Sequence, residues 1–139
     1  IAGSESRFVE LMNLRARELG LVDTQFRNPH GLDAAGHYST PYDQATIGRY
    51  GMTIPTFVKL AAAREYSGDG FQVYNVNRLL LNYPGADGIK PGFTDDAGSA
   101  LVASATRDGH RVITAVIKAN SAAIDTVPLM DWAFRVFRW

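Results

Sequence analysis

From Gly88 onward the chain alternates three extended runs with two polar turns, and these runs are apolar on both sides of the pleat. Gly88 to Thr94, Ser99 to Thr106 and Arg111 to Lys118 read as strands. They are separated by Asp95-Asp96-Ala97-Gly98 and Arg107-Asp108-Gly109-His110, both turn compositions. Strands joined this closely form an antiparallel meander. Leu101-Val102-Ala103 and Val112-Ile113 put apolar side chains on both faces, so such a sheet requires cover on each side. Three strands with four helices are expected to fall short of that cover, and further strands are expected from outside the chain.

The first half has the helical period. Phe8, Leu11, Met12, Ala16 and Leu19 recur at helical spacing behind Ser4 and Ser6 as N-cap candidates, with Gly20 placed to end the helix in a left-handed conformation. Thr40-Pro41-Tyr42-Asp43 predicts a second helix from Pro41 to about Tyr50, and Pro55 opens a third through Phe57, Val58, Leu60 and Ala61 that ends before the turn Ser67-Gly68-Asp69-Gly70. From Phe71 the period becomes two, and the segment through Leu79-Leu80-Leu81 to Pro84-Gly85 is expected to be extended. A last helix is predicted with Asp125 as cap and Pro128 in its first turn, packing Leu129, Met130, Ala133, Phe134, Val136 and Phe137 inward. The order is helices, sheet, helix: α+β, in a single domain piece spanning residues 1–139.

With 139 residues, 46% hydrophobic and 20% charged, the chain reaches the size at which a core forms without metal or disulfide, so stability implies no cofactor. Lys plus Arg and Asp plus Glu both number 14, which removes the field that draws in nucleic acid. There is no cysteine, hence no thiol nucleophile and no Cys-ligated zinc. No stretch reaches the length of a membrane span, and a start at Ile1 is expected of a mature or cut end.

Few residues carry a chemical signal. Thr56-x-x-Lys59 approaches the spacing of a hydroxyl–amine pair, but a solvated helix face accounts for both. His30 and His37, with Asp33 and Asp43, make a conceivable metal set, yet Asn28-Pro29-His30-Gly31-Leu32 is turn chemistry in which an imidazole holds backbone amides, and no metal site is expected. His110 falls in a hairpin turn and is expected to be solvated. Lys90 differs: it stands on a strand beside Pro91 and between Gly88 and Gly92, which let a backbone or a ligand approach. Proline confines that strand to a sheet edge or a bulge, so a lone ammonium lies beside an open backbone that suits an extended anionic peptide. A lysine guarding an edge against aggregation is the structural alternative.

Several stretches together resemble the serine-type D-alanyl-D-alanine carboxypeptidases, the low-molecular-mass penicillin-binding proteins: Phe8-Val9-x-Leu11-Met12-Asn13, Thr24-x-Phe26-x-Asn28-Pro29-His30-Gly31-Leu32, Gly36-His37-Tyr38-Ser39-Thr40, Gly88-Ile89-Lys90-Pro91-Gly92-Phe93-Thr94-Asp95-x-Ala97-Gly98, Leu101-Val102-Ala103-Ser104-Ala105 and Asp131-Trp132-Ala133-Phe134. The resemblance implies the C-terminal portion of the β-lactamase/transpeptidase-like fold. In that fold the remaining two strands of a five-stranded antiparallel sheet, with the nucleophile helix, come from an N-terminal segment. The family's Ser-x-x-Lys and Ser-x-Asn motifs have no counterpart here.

The family's Lys-Thr-Gly maps to Lys90-Pro91-Gly92. The resemblance gives Lys90 the role of charge stabiliser and the Phe93 backbone N–H that of an oxyanion donor, with Pro91, Gly92 and Thr94 lining the substrate. Two departures stand out: Pro91 replaces a threonine, and Ala122 aligns with an arginine, both of which bind the substrate's terminal carboxylate in the family. Losing one charge-assisted hydrogen bond costs ~1.5–3 kcal/mol. The implied partners are peptidoglycan stem peptides ending in D-Ala-D-Ala, β-lactams, and the N-terminal half of the domain or a dimer mate, outside the cytoplasmic membrane. The alternative is a non-catalytic relative that binds cell-wall peptide or a protein.

Overall fold

A computed structural model describes residues 2–139. Helix α1 (Glu5–Glu18) starts where Ser4 accepts a hydrogen bond from the Arg7 N–H, and Ser6 lies inside it. Helix α2 (Pro41–Gly51) is capped by Thr40, whose hydroxyl accepts from the Asp43 N–H, and α3 (Pro55–Ala62) follows within four residues. Between α1 and α2 the chain is irregular. It is anchored by the buried Asp43 carboxylate, which accepts from the Asp23 N–H at 3.1 Å and the Thr24 hydroxyl at 2.7 Å.

Strands β1 (Glu65–Gly68) and β2 (Phe71–Tyr74) form a separate hairpin. The expected turn Ser67-Gly68-Asp69-Gly70 is thus half strand. Only Asp69 and Gly70 turn, at φ of 53° and 79°, the pair of positive values that a two-residue turn matched to strand twist demands. The run Leu79-Leu80-Leu81 is not extended but the short helix α4 (Leu79–Asn82), started by the Asn77 side chain, which accepts from the Leu79 N–H. Three consecutive apolar residues fit either period, and here burial of Leu79 and Leu80 decides.

The main sheet is the expected meander, β3 (Ala86–Thr94), β4 (Gly98–Arg107) and β5 (His110–Ala119), in that spatial order and antiparallel. Leu101, Ala103 and Ala105 on β4 share a face with their partners Val116, Thr114 and Val112 on β5, and this face packs under α4 and α5 (Ala122–Val136) through Leu79, Met130 and Ala133. The opposite face, with Val102 and Ile113, lies under α2. Gly48 permits that approach, since a Cβ there would sit 2.9 Å from Val102 Cγ1 and 3.0 Å from Ile89 Cδ1.

Helix α5 corrects the sequence-based expectation. It begins at Ala122, after Ser121, so Asp125 lies within the first turn and Pro128 well inside the helix. The first amide is satisfied from outside the helix: the Ala122 N–H donates to Ser99 Oγ on β4 at 3.0 Å, a partner no local pattern reveals. Met130 and Ala133 are buried and Phe134 packs against the core, but Leu129, Val136 and Phe137 are exposed. His110 opens β5 rather than lying free in the turn, and its ring stacks on Trp139 at 4.9 Å.

Candidate active site

Strand β3 is an edge, and its backbone geometry follows from one residue. Pro91 pairs with Leu101. A pair that exchanges two hydrogen bonds needs an N–H from each member, which proline lacks, so this pair is the non-bonded kind. Lys90 and Gly92 therefore turn their N–H and C=O groups toward β4, while Pro91 and Phe93 turn theirs to the open side of the sheet. Among the described residues no strand pairs along that side. Accordingly the Lys90 ammonium donates to the outward Pro91 carbonyl. The Phe93 N–H points the same way, and the residue is 72% exposed.

The two glycines flanking Lys90 differ. A Cβ at Gly92 would meet nothing within 4 Å, so a ligand has access there. At Gly88 it would meet Ala61 and Met52, so that approach is made by the protein's own α3 and the residue after α2. The Thr94 hydroxyl accepts from the Ala97 N–H at 3.0 Å, which pins the β3–β4 turn and leaves the hydroxyl's own proton to donate. Ala122 is buried, and the Ser99 hydroxyl that receives its N–H stands opposite Phe93 in the register.

Lys90 also walls an apolar cleft of about 560 Å³ between α1, α2, α3 and the sheet, with Phe8, Leu11, Tyr50, Ile54 and Phe57 around it. The start of β3 is braced across the sheet. Asp87 accepts from Thr106 Oγ1 at 2.7 Å and is ion-paired with Arg111 at 3.0 Å, and Arg111 also reaches the Met52 carbonyl at the end of α2. Burial alone pushes the Asp87 carboxyl up, but these donors and the guanidinium charge outweigh it and hold its pKa below the usual carboxylate value.

The histidines are spent on structure. His37 Nδ1 accepts from the Arg27 N–H at 3.3 Å and His30 Nδ1 from the Leu32 N–H at 3.2 Å. Burial, then the nearby His30, lowers the His37 pKa against the opposing Asp33 charge. Among the described residues no three His, Asp or Glu side chains come together as a metal site. Thr56 and Lys59 lie on the exposed side of α3. The hairpin whose end reaches Lys90 through Tyr74 and Val76 went unread in the sequence, because its residues meet β3 only after folding.

Residues 1–121 match the family model described as D-alanyl-D-alanine carboxypeptidase. The chain belongs to that family. It is 38% identical to the D-alanyl-D-alanine carboxypeptidase DacF of Bacillus subtilis, over 96% of this chain and 36% of that protein. To DacA of Escherichia coli it is 40% identical, over 98% of this chain and 35% of that protein. Among solved structures, the Streptomyces K15 DD-transpeptidase superposes with a TM-score of 0.90 at 30% identity, covering 94% of this chain and 55% of that one. A D-alanyl-D-alanine carboxypeptidase from Mycobacterium tuberculosis gives 0.89 at 31% identity, covering 98% and 56%. The fold is therefore that of the DD-peptidases, and this carboxypeptidase-family chain spans about a third of the length of these two curated relatives and just over half that of the two solved ones. No helix among the described residues is long and apolar enough to cross a membrane.

Proposed function

We propose that this chain is the C-terminal portion of a serine-type D,D-carboxypeptidase domain that trims peptidoglycan stem peptides outside the cytoplasmic membrane. The observation that carries this reading is the outward backbone of Phe93 on an open strand edge, next to Lys90 and Gly92 and above an apolar cleft. The nucleophilic serine and its lysine come from an N-terminal half that lies outside this chain. The serine oxygen attacks the carbonyl of the penultimate D-alanine while its lysine takes the hydroxyl proton. The Phe93 N–H receives the developing oxyanion, and the Lys90 charge stabilises it and the substrate carboxylate. The C–N bond then breaks, the departing nitrogen takes the proton, and an acyl-enzyme remains for water to hydrolyse. β-Lactams acylate the same serine.

The free edge of β5 and the open apolar cleft, which an N-terminal half would pair with and fill, support a shared domain over a self-contained one. A dimer mate of this chain is the other candidate for these surfaces. A non-catalytic relative that binds cell-wall peptide is the second reading, favoured by Pro91 and Ala122, which offer no side-chain donor to a terminal carboxylate. Intact-mass analysis under denaturing conditions, before and after penicillin, separates the two. A second polypeptide carrying the drug's mass, alongside this chain, is the expected result. Peptide binding with no adduct on the assembled domain supports the non-catalytic reading instead.

A further inference from the structure

The hairpin β1–β2 contributes none of its apolar side chains to the buried core. In its register Tyr66 faces Val73 and Gly68 faces Phe71, so Tyr66, Phe71 and Val73 stand on one face of the ladder, and all three are exposed. Tyr66 is seated rather than free. A Cβ at Gly68 would lie 2.6 Å from Tyr66 Oη and 2.9 Å from its Cζ, so the side chain is laid along its own strand over the glycine. Its hydroxyl donates to Asp69 Oδ2 at 3.0 Å. On the other face Gln72 Nε2 donates to the Tyr74 hydroxyl at 2.9 Å. Asn75 ties this arm to the end of α3: its N–H donates to the Arg64 carbonyl at 2.8 Å and its side-chain amide to the Ala63 carbonyl at 2.9 Å. Beyond Tyr74 the arm meets the proposed catalytic edge, where Leu60, Tyr74, Val76, Lys90 and Pro91 line a hollow of about 500 Å³.

We propose that the Tyr66, Phe71 and Val73 face of this hairpin is a platform for the glycan strands of peptidoglycan, a polymer of β-linked amino sugars. The choice of sugar rests on the carboxypeptidase reading above. Its substrate is a side branch of that polymer, so the polymer borders the catalytic edge and meets the arm beside it. A pyranose ring with equatorial substituents turns C–H bonds to its two faces and polar groups to its rim. The faces suit the electron-rich rings of Tyr66 and Phe71, and the rim suits an acceptor such as the second oxygen of Asp69. Tyr66 and Phe71 are diagonal neighbours across the ladder, about 7–8 Å apart, which a short run of linked sugars spans and a single sugar does not. Charge selects against the membrane surface: residues 65–76 carry Glu65 and Asp69 and no cation, so anionic headgroups are repelled.

The test uses the domain assembled from this chain and its N-terminal half. Chitohexaose, a soluble chain of β-1,4-linked N-acetylglucosamine, is titrated calorimetrically, and the rate of penicillin adduct formation is measured in parallel. The expected result is saturable binding that weakens about tenfold in Phe71→Ser and in Tyr66→Ala, and much less in Tyr66→Phe, which keeps the ring. The adduct rate should stay unchanged in all three, because neither ring takes part in the acylation chemistry. Adduct formation without chitohexaose binding, or binding to which Phe71→Ser and Tyr66→Ala are indifferent, overturns the platform alone. So does capture by phosphatidylglycerol vesicles in place of the sugar, or a dimer that Phe71→Ser dissolves. Ring-dependent binding with no adduct overturns the carboxypeptidase reading and supports the platform, and the absence of both overturns both.

Discussion

The two faces of the main sheet are finished to different degrees. Under α4 and α5, Leu101, Ala103, Ala105, Met130 and Ala133 are buried together. The helix is tied to the sheet by Arg107, whose guanidinium lies 4.6 Å from the Tyr83 ring and 4.5 Å from that of Phe134, and by the Tyr83 hydroxyl donating to Asp131 at 2.7 Å. On the other face α2 touches Val102 and Ile113 through Gly48, but α1 and α3 stand off and leave the apolar cleft, with Phe8 39% and Phe57 38% exposed. The first face closes on residues of this chain alone. The second leaves apolar surface and the lone lysine of β3 open, so one sheet carries a closed core on one face and an unfinished cleft on the other.

Substitutions break or sharpen that contrast. Met130→Ala is expected to lower unfolding free energy by about 2–5 kcal/mol, because Met130 is fully buried and its neighbours fill the cavity only in part. Phe8→Ala in the cleft should cost less than about 1 kcal/mol in the isolated chain. Urea denaturation of both, giving equal losses, would erase the distinction between the faces. Lys90→Ala should leave the denaturation midpoint within error yet reduce penicillin acylation of the assembled domain about 10²–10³-fold. A drop of under threefold, read by mass spectrometry over time, removes Lys90 from the chemistry.

Smaller effects concern the struts. The Asp87 pKa is lower folded than unfolded, so the unfolded chain takes up the proton first as pH falls. Stability contributed by Asp87 is full above the ordinary carboxylate range and declines as pH drops through that range to the depressed value. Asp87→Asn should flatten that acid limb and cost about 1.5 kcal/mol at neutral pH, measured by denaturant titration at several pH values. Tyr83 behaves oppositely, its phenol pushed up to about 12 by burial first and the Asp131 hydrogen bond second. Its contribution holds below pH 10 and fades as pH rises toward 12, and Tyr83→Phe should remove that alkaline limb at a cost of about 1 kcal/mol.

Much of the fold was legible where the cause is local. Ser4 and Thr40 mark helix starts through hydrogen bonds made within three residues, Pro41 through its fixed φ and missing N–H, and Asp108-Gly109 marks its hairpin through positive φ at both positions. The elements that were not legible have distant causes. Helix α5 begins at Ala122 because β4 supplies Ser99, and His110 is covered because Trp139 returns to it. The candidate site divides the same way. A proline beside a lysine on a strand marked an edge or a bulge, and its pairing with Leu101 dictates which backbone groups face out. The hollow around Leu60, Tyr74 and Val76 could not be read, since α3, the hairpin and β3 meet there only in three dimensions.

By itself, then, the order of residues determined the α+β architecture, the meander, the family and the choice of an edge or a bulge for β3, because these depend on periodicity, on caps within one turn and on the missing N–H of Pro91. Only the tertiary structure decided which face of the sheet is closed, where α5 starts, and which apolar side chains stand beside Lys90. Those depend on contacts between residues far apart in the chain, where packing against Met130 or Gly48 overrides any local preference.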